Sequence, residues 1–221
     1  MLNYVVISGS GRPQSESARV GEYIRQRLID LQLSEDSRCS LIDLGTSPLP
    51  LWPEQNDGLW HDYAERLKAA DAVIVITPEW HGMASPALKN FFVLASKAEL
   101  AHKPGLLVSV SSGVGGAYPI SELRSSSFKN NRLCYIPEQI IVRQANDMLH
   151  PGPVVDDNDQ RLRPRIDYAL GVLGHYATAL CAVRAAVDMS IPEFSNGRES
   201  TSSHYYPSPV FSSRMSGQCP R

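Results

Sequence analysis

The chain has 221 residues, 43% apolar and 20% charged, the balance of an ordinary globular protein, and its length favours one large domain over two small ones. Lys plus Arg number 21 against 23 Asp plus Glu, a net charge of −2, so there is no electrostatic case for binding nucleic acid or an anionic membrane surface. Cys39, Cys134, Cys181 and Cys219 stand far apart, with no CxxC and no HExxH; this gives no support to a metal site or a dithiol motif and fits a reducing compartment.

Tyr4-Val5-Val6-Ile7 is a fully apolar strand of the kind a parallel sheet buries on both faces. It breaks at Ser8-Gly9 and follows no basic region, so it does not read as a signal peptide. No apolar run approaches eighteen residues, so no membrane-spanning helix is expected and a cytoplasmic location follows. A helix is predicted from about Glu16 to Leu31, with Val20, Ile24, Leu28 and Leu31 on one stripe. Cys39 to Leu44 is a second strand, and the Pro-rich connector from Ser47 to Pro53 leads to a helix over Asp57 to Ala70.

Asp71 to Thr77 is the clearest strand. Ser85 then reads as a helix N-cap with Pro86 in the first helical position, and Leu88, Phe91, Phe92 and Ala95 give that helix an apolar face. Pro104 to Ser111 is the fourth strand, and a helix is predicted over about Tyr118 to Asn130. Leu133 to Val142 is the fifth strand, where Pro137 implies a bulge or an edge position. After a polar segment from Asn146 to about Gln160, a long helix is predicted from roughly Leu162 to Met189. Residues 190–221 are rich in Ser, Pro and Gly and lose apolar periodicity, which reads as a flexible tail, with docking through Tyr205-Tyr206 the other reading.

Five alternating strand–helix units imply a three-layer α/β domain over residues 1–189: a doubly wound five-stranded parallel sheet with strand order 2-1-3-4-5. Ligands of such sheets bind beyond the carboxyl ends of the strands, where the strand order reverses. Three unusual loops fall there. The first, after strand one, runs from Ser8 to Ser17 into a helix N-terminus. Its backbone N–H groups, the hydroxyls of Ser10, Ser15 and Ser17, and the Arg12 guanidinium suit a phosphate monoester. It is neither a dinucleotide fingerprint, since Gln14 stands where a third glycine is needed, nor a Walker A loop, since no Gly-Lys occurs. An N-capped turn with an exposed arginine would look the same. The second loop, Thr77-Pro78-Glu79-Trp80-His81-Gly82, places an aromatic and a histidine at a strand end and could hold a planar ring or simply pack. The third, Ser112-Gly113-Val114-Gly115-Gly116, lets backbone approach a ligand closely or is a loose connector.

Gly9-Ser10-x-Arg12-x-x-Ser15-x-Ser17 resembles the phosphate loop of the NADPH-dependent FMN reductase family. That family's second motif, roughly Thr-Pro-Glu-Tyr-Asn-Gly followed by Pro-x-x-Leu-Lys-Asn, is similar to Thr77-Pro78-Glu79-Trp80-His81-Gly82 and Pro86-Ala87-Leu88-Lys89-Asn90. The Ser112 to Gly116 loop resembles its third motif, and the likeness runs from about Asn3 to Val187. Trp80 and His81 depart from the usual tyrosine and asparagine, and Ser17 stands where asparagine is common.

The resemblance implies a flavodoxin-like fold, FMN and NAD(P)H as cofactors, and a small-molecule acceptor: a quinone, an azo compound, a metal oxyanion or free flavin. It assigns the phosphate to Ser10, Arg12, Ser15 and Ser17, and the isoalloxazine to Pro78, Glu79, Trp80, His81 and Gly82 on one side and Ser112, Gly113, Val114, Gly115 and Gly116 on the other. His81 is the one candidate proton donor. The implied cycle is ping-pong and the implied assembly a homodimer or homotetramer, with the Phe91-Phe92 helix and the Pro-rich connector as candidate contacts. An FMN electron carrier inert to NAD(P)H and a non-redox phospho-ligand-binding module are the competing readings.

Overall fold

A computed structural model describes residues 1–191, apart from 53, 55, 56, 155 and the side chain of 57. Strands β1 (Tyr4–Ser8), β2 (Cys39–Asp43), β3 (Ala72–Pro78), β4 (Pro104–Val110) and β5 (Cys134–Val142) form one parallel sheet in the order β2-β1-β3-β4-β5. Strands β1 and β4 are buried at every residue, and β3 at every residue but Pro78, as expected of strands covered on both faces. The helices are α1 (Glu16–Asp30), α2 (Asp57–Ala69), α3 (Pro86–Leu94), α4 (Lys97–Leu100), α5 (Ala117–Ser126) and α6 (Asp157–Ala186).

The two faces follow from strand alternation. Val6, Ile74, Ile76 and Val108 point to one core, closed by Val20, Ile24 and Leu28 of α1 and Ile166, Leu170 and Leu173 of α6. Val5, Ile7, Val73, Val75 and Leu107 point to the other, closed by Tyr63 and Leu67 of α2, Leu88 and Phe91 of α3, and Ile120 and Leu123 of α5.

Pro137 is accommodated as expected. β5 is an edge strand, and its pairing slips between Gly105↔Tyr135 and Leu107↔Gln139, so that β5 takes two more residues than β4 over this interval. Three helix boundaries differ from expectation. Helix α5 stops at Ser126 rather than near Asn130, where the hydroxyls of Ser125 and Ser126 donate to the Glu122 carbonyl and that of Ser127 to Leu123. Helix α6 begins five residues earlier than the apolar period suggests, because Asp156 caps it by accepting from the Asp159 N–H at 2.8 Å ahead of a polar first turn. It ends at Ala186, not Met189, and continues through Pro164. The short helix α4 lacks a periodic signature but carries a capping box between Ser96 and Glu99.

Among the described residues α6 alone is long and apolar enough to cross a membrane by length and composition, although no unbroken apolar run in it approaches eighteen residues. Its Ile166, Leu170 and Leu173 are fully buried against the sheet, as in a core helix. Phe91 is likewise core, not interface, and stacks edge-on with Trp60 and Phe92. Cys39 and Cys134 are free thiols. The predicted tail of residues 190–221, with Tyr205 and Tyr206, lies outside the described residues from 192 onward.

Candidate active site

The carboxyl ends of β1, β3, β4 and β5 surround a cleft of about 120 Å³. Its floor is the loop after β1. The Gly9 N–H donates to the Ile76 carbonyl at 2.8 Å, which draws this loop against β3. A side chain at position 9 would put its Cβ 2.6 Å from that same carbonyl oxygen, so the approach requires glycine. Ser15 caps α1, accepting from the Ala18 N–H at 3.1 Å. Ser10 Oγ accepts from the Arg12 N–H at 3.2 Å. Ser17 Oγ is buried on the cleft wall and has no hydrogen-bond partner. Buried hydroxyls are normally paired. An unpaired one beside a second serine, an arginine and a helix N-terminus therefore fits an anion seated in the cleft. The only carboxylate on this floor, Glu16, is held by Arg19 at 2.6 Å, whose guanidinium also donates to the carbonyls of Ala145 and Leu149.

The second wall is a tight hairpin. Trp80 and Met83 exchange backbone hydrogen bonds at 3.0 and 2.8 Å across His81 (φ +49°) and Gly82 (φ +75°). Positive φ at both central positions is what a type I′ turn requires, and Asn-Gly is its preferred sequence. Histidine is among the residues that tolerate this region. The departure at position 81 from asparagine is thus one the backbone accepts, and His81 sits at the exposed tip, outside the lining of the cleft. Trp80 does line it, and the Arg12 guanidinium lies over its ring, 4.9 Å from the centroid. The departure to tryptophan thereby gives the phosphate-type loop a cation–π partner on the ring-type loop.

Glu79 joins the second loop to the third. Its N–H donates to the Val110 carbonyl at 2.9 Å, and its Oε2 accepts from the Gly116 N–H at 2.7 Å. A Cβ at position 115 would overlap that carboxylate, and Gly116 has φ +103° at the start of α5. From the other side the Arg143 Nε–H donates to the carbonyls of Val114 and Gly115, and the Gln144 N–H to that of Gly113. The Gly-rich segment is therefore a pinned loop and not a loose connector.

Of the residues read from sequence, Ser10, Arg12, Ser15, Ser17, Pro78, Glu79, Trp80 and Ser112 line the cleft. Gly82, Gly113, Gly115 and Gly116 shape its loops, and Val114 faces a neighbouring cleft. The sequence reading missed Glu16 and Val110 as lining residues, and also Ala145 and Asn146, which follow β5 and carry no local motif. Around Pro86-Ala87-Leu88-Lys89-Asn90, the preceding Ser85 Oγ donates to the Gly9 carbonyl and accepts from the Leu88 N–H, and buried Asn90 holds the Pro50 carbonyl and the Trp52 N–H at 2.9 Å each. That stretch positions the site without lining it.

The model of the NADPH-dependent FMN reductase family matches residues 2–147. An NADPH azoreductase of Bacillus sp. is 28% identical over 145 residues, 64% of this chain and 76% of that protein. An FMN-dependent NADPH-azoreductase of Staphylococcus aureus is 27% identical over 129 residues, 54% of this chain and 66% of that protein. The crystal structure of an oxidoreductase from Corynebacterium diphtheriae covers 81% of this chain and 98% of its own, with a TM-score of 0.63 at 17% identity, a likeness of fold. Matched over about two thirds of its length and built on a parallel sheet of order 2-1-3-4-5, the chain belongs to the NADPH-dependent FMN reductase family, enzymes that work with FMN and NAD(P)H.

Proposed function

We propose that this chain holds FMN in the cleft at the carboxyl ends of β1, β3 and β4 and oxidises NAD(P)H on behalf of a small-molecule acceptor. The observation that carries this is the buried, unpartnered Ser17 hydroxyl beside Ser10, Arg12 and the N-terminus of α1. Ser10, Arg12, Ser15 and Ser17 take the phosphate, the charge of Arg12 and the helix dipole opposing its negative charge. Pro78, Glu79 and Trp80 with Ser112 flank the ring, and the Glu79–Gly116 hydrogen bond keeps the two loops at a fixed separation.

FMN, when bound, supplies the chemistry of hydride uptake from a nicotinamide and release of reducing equivalents to the acceptor. The chain's own part is to bind, orient and exclude water. One cleft serves donor and acceptor in turn, which makes the cycle ping-pong. His81, at an exposed turn tip, acts through backbone conformation. The names of the family and of its relatives support an azo compound, a quinone or free flavin as acceptor. A cytoplasmic homodimer or homotetramer belongs to the same proposal, supported by the exposed apolar side chains of Leu51, Trp52 and Val93.

The test is an absorbance spectrum after incubation with FMN and desalting, followed by NADPH without oxygen. Retained flavin bands that bleach are expected. Bands that persist would make the protein an electron carrier, and no flavin binding in a direct titration would refute the cleft assignment.

A further inference from the structure

On the far side of the Gly-rich loop lies a second cleft, of about 390 Å³, bounded by Val114, the end of β5 and the first turns of α6. It adjoins the first directly. Ser112 lines one and Val114 the other, while Ala145 and Asn146 line one and Arg143 and Gln144 the other. Its walls combine two chemistries. Ile141, Met148, Leu162 and Val114 supply apolar surface, and Arg143, Arg161 and Arg165 supply positive charge, with no carboxylate in the lining among the described residues.

The three arginines are not equivalent. Arg165 is paired with Glu138 and lies over the Tyr168 ring. Arg143 donates only to backbone carbonyls, so its charge is not neutralised. Arg161 is exposed and has no hydrogen-bond or ion-pair partner among the described residues. Two uncompensated guanidinium groups at the mouth of an apolar slot suit a flat aromatic body carrying a dianionic phosphate.

We propose that this second cleft receives the adenosine 2′-phosphate end of NADPH, with Arg161 and Arg143 as the phosphate contacts and Leu162 and Val114 against the purine. The proposal rests on the flavin-site reading above, because it is the shared loop that lets one nucleotide reach from the first cleft to the second. It makes the chain selective for NADPH over NADH through residues outside the flavin loops and outside every motif of the sequence.

Two measurements test it. The first titrates the protein calorimetrically with 2′,5′-ADP and with 5′-ADP. The 2′-phosphate should tighten binding about tenfold or more, as expected for one charge-assisted contact, and Arg161→Gln should remove that difference. The second compares kcat/KM for NADPH and NADH. The ratio should fall about tenfold in Arg161→Gln and recover in part in Arg161→Lys, which keeps the charge but not the planar fork. Arg161 is exposed, so loss of folding is not a competing explanation, and melting temperatures check this. Equal binding of the two adenosine diphosphates, or a preference unaltered in Arg161→Gln, overturns the proposal. So does Arg161-dependent binding of 1-naphthalenesulfonate without a preference for 2′,5′-ADP, which would assign the cleft to an anionic acceptor. If FMN does not bind in a direct titration, the flavin-site reading fails, and the 2′,5′-ADP titration still decides the arginine site independently.

Discussion

Arg12→Ala should weaken FMN binding about tenfold, and the figure follows from where the guanidinium lies. A hydrogen bond between a charged group and its partner contributes about 1.5–3 kcal/mol. Arg12 is not free to give all of it, because its guanidinium sits over the Trp80 ring. An exposed cation–π contact is worth about 0.5–1 kcal/mol, which is lost when the side chain turns to a phosphate. The net is about 0.5–2.5 kcal/mol, centred near the 1.4 kcal/mol that makes a tenfold change in affinity. The assay is a flavin-fluorescence titration of apoprotein with FMN. Riboflavin, which lacks the phosphate, should bind wild type and variant alike. Trp80→Leu frees Arg12 from its resting contact and should leave the phosphate increment, the FMN-to-riboflavin affinity ratio, the same or larger. Arg12 is exposed, so its melting temperature should not move. An unchanged FMN dissociation constant in Arg12→Ala, or an equal loss for FMN and riboflavin, would refute the phosphate assignment.

Three further outcomes concern the frame around the cleft. Gly116→Ala forces a side chain into φ +103° against Ile141 Cγ2 and should destabilise the fold by roughly 2–3 kcal/mol; a thermal melt within a degree of wild type contradicts this. Asn90→Ala removes two buried hydrogen bonds to the connector before α2 and should cost about 2 kcal/mol, with faster proteolysis near Trp52; unchanged cleavage there would show that the connector is held by other contacts. Lys103 is buried against the carbonyls of Leu67 and Lys68 at the end of α2, and desolvation lowers its pKa to about 8. The unfolded chain keeps this proton up to the ordinary lysine value of 10.5, so between about pH 8 and 10.5 the unfolded state binds more protons and stability rises with pH. Burial of Cys39 pushes its thiol up to about 12 and works the other way above pH 9, so the informative quantity is the difference between wild type and Lys103→Met. Chemical denaturation across that range should show wild type gaining on the variant, by at most ~3 kcal/mol. A flat difference curve would mean that the two carbonyls hold the ammonium charged.

The sheet was legible because its signals are local. Tyr4-Val5-Val6-Ile7 and Ala72 to Ile76 are short continuous apolar runs rich in β-branched residues, the pattern of strands buried on both faces. Ser85-Pro86 announced α3 because a cap hydroxyl and a proline with fixed φ act within one turn. Pro137 announced an edge strand because it lacks a donor. The start of α6 was not legible, since its first turn is polar and only the Asp156 cap marks it.

The site divides in the same way. Gly9, Ser10, Arg12, Ser15 and Ser17 lie on one short segment of the chain and could be read together. The composition of each loop could be read, but not the bonds between loops. The Arg12–Trp80 stacking and the Glu79–Gly116 hydrogen bond join residues separated by whole strands and helices, and whether the Ser17 hydroxyl finds a partner is settled only by what folds around it. Arg143 and Arg161 stand in no motif, and they face one cleft only because β5 delivers its end beside the first turns of α6. Sequence alone determined the alternation of strands and helices, the strand order and the chemistry of each loop, since these depend on periodicity and on short-range steric preferences. Tertiary structure alone decided which side chains are paired and which face open space, because burial and pairing are properties of neighbours that the chain brings together only when it folds.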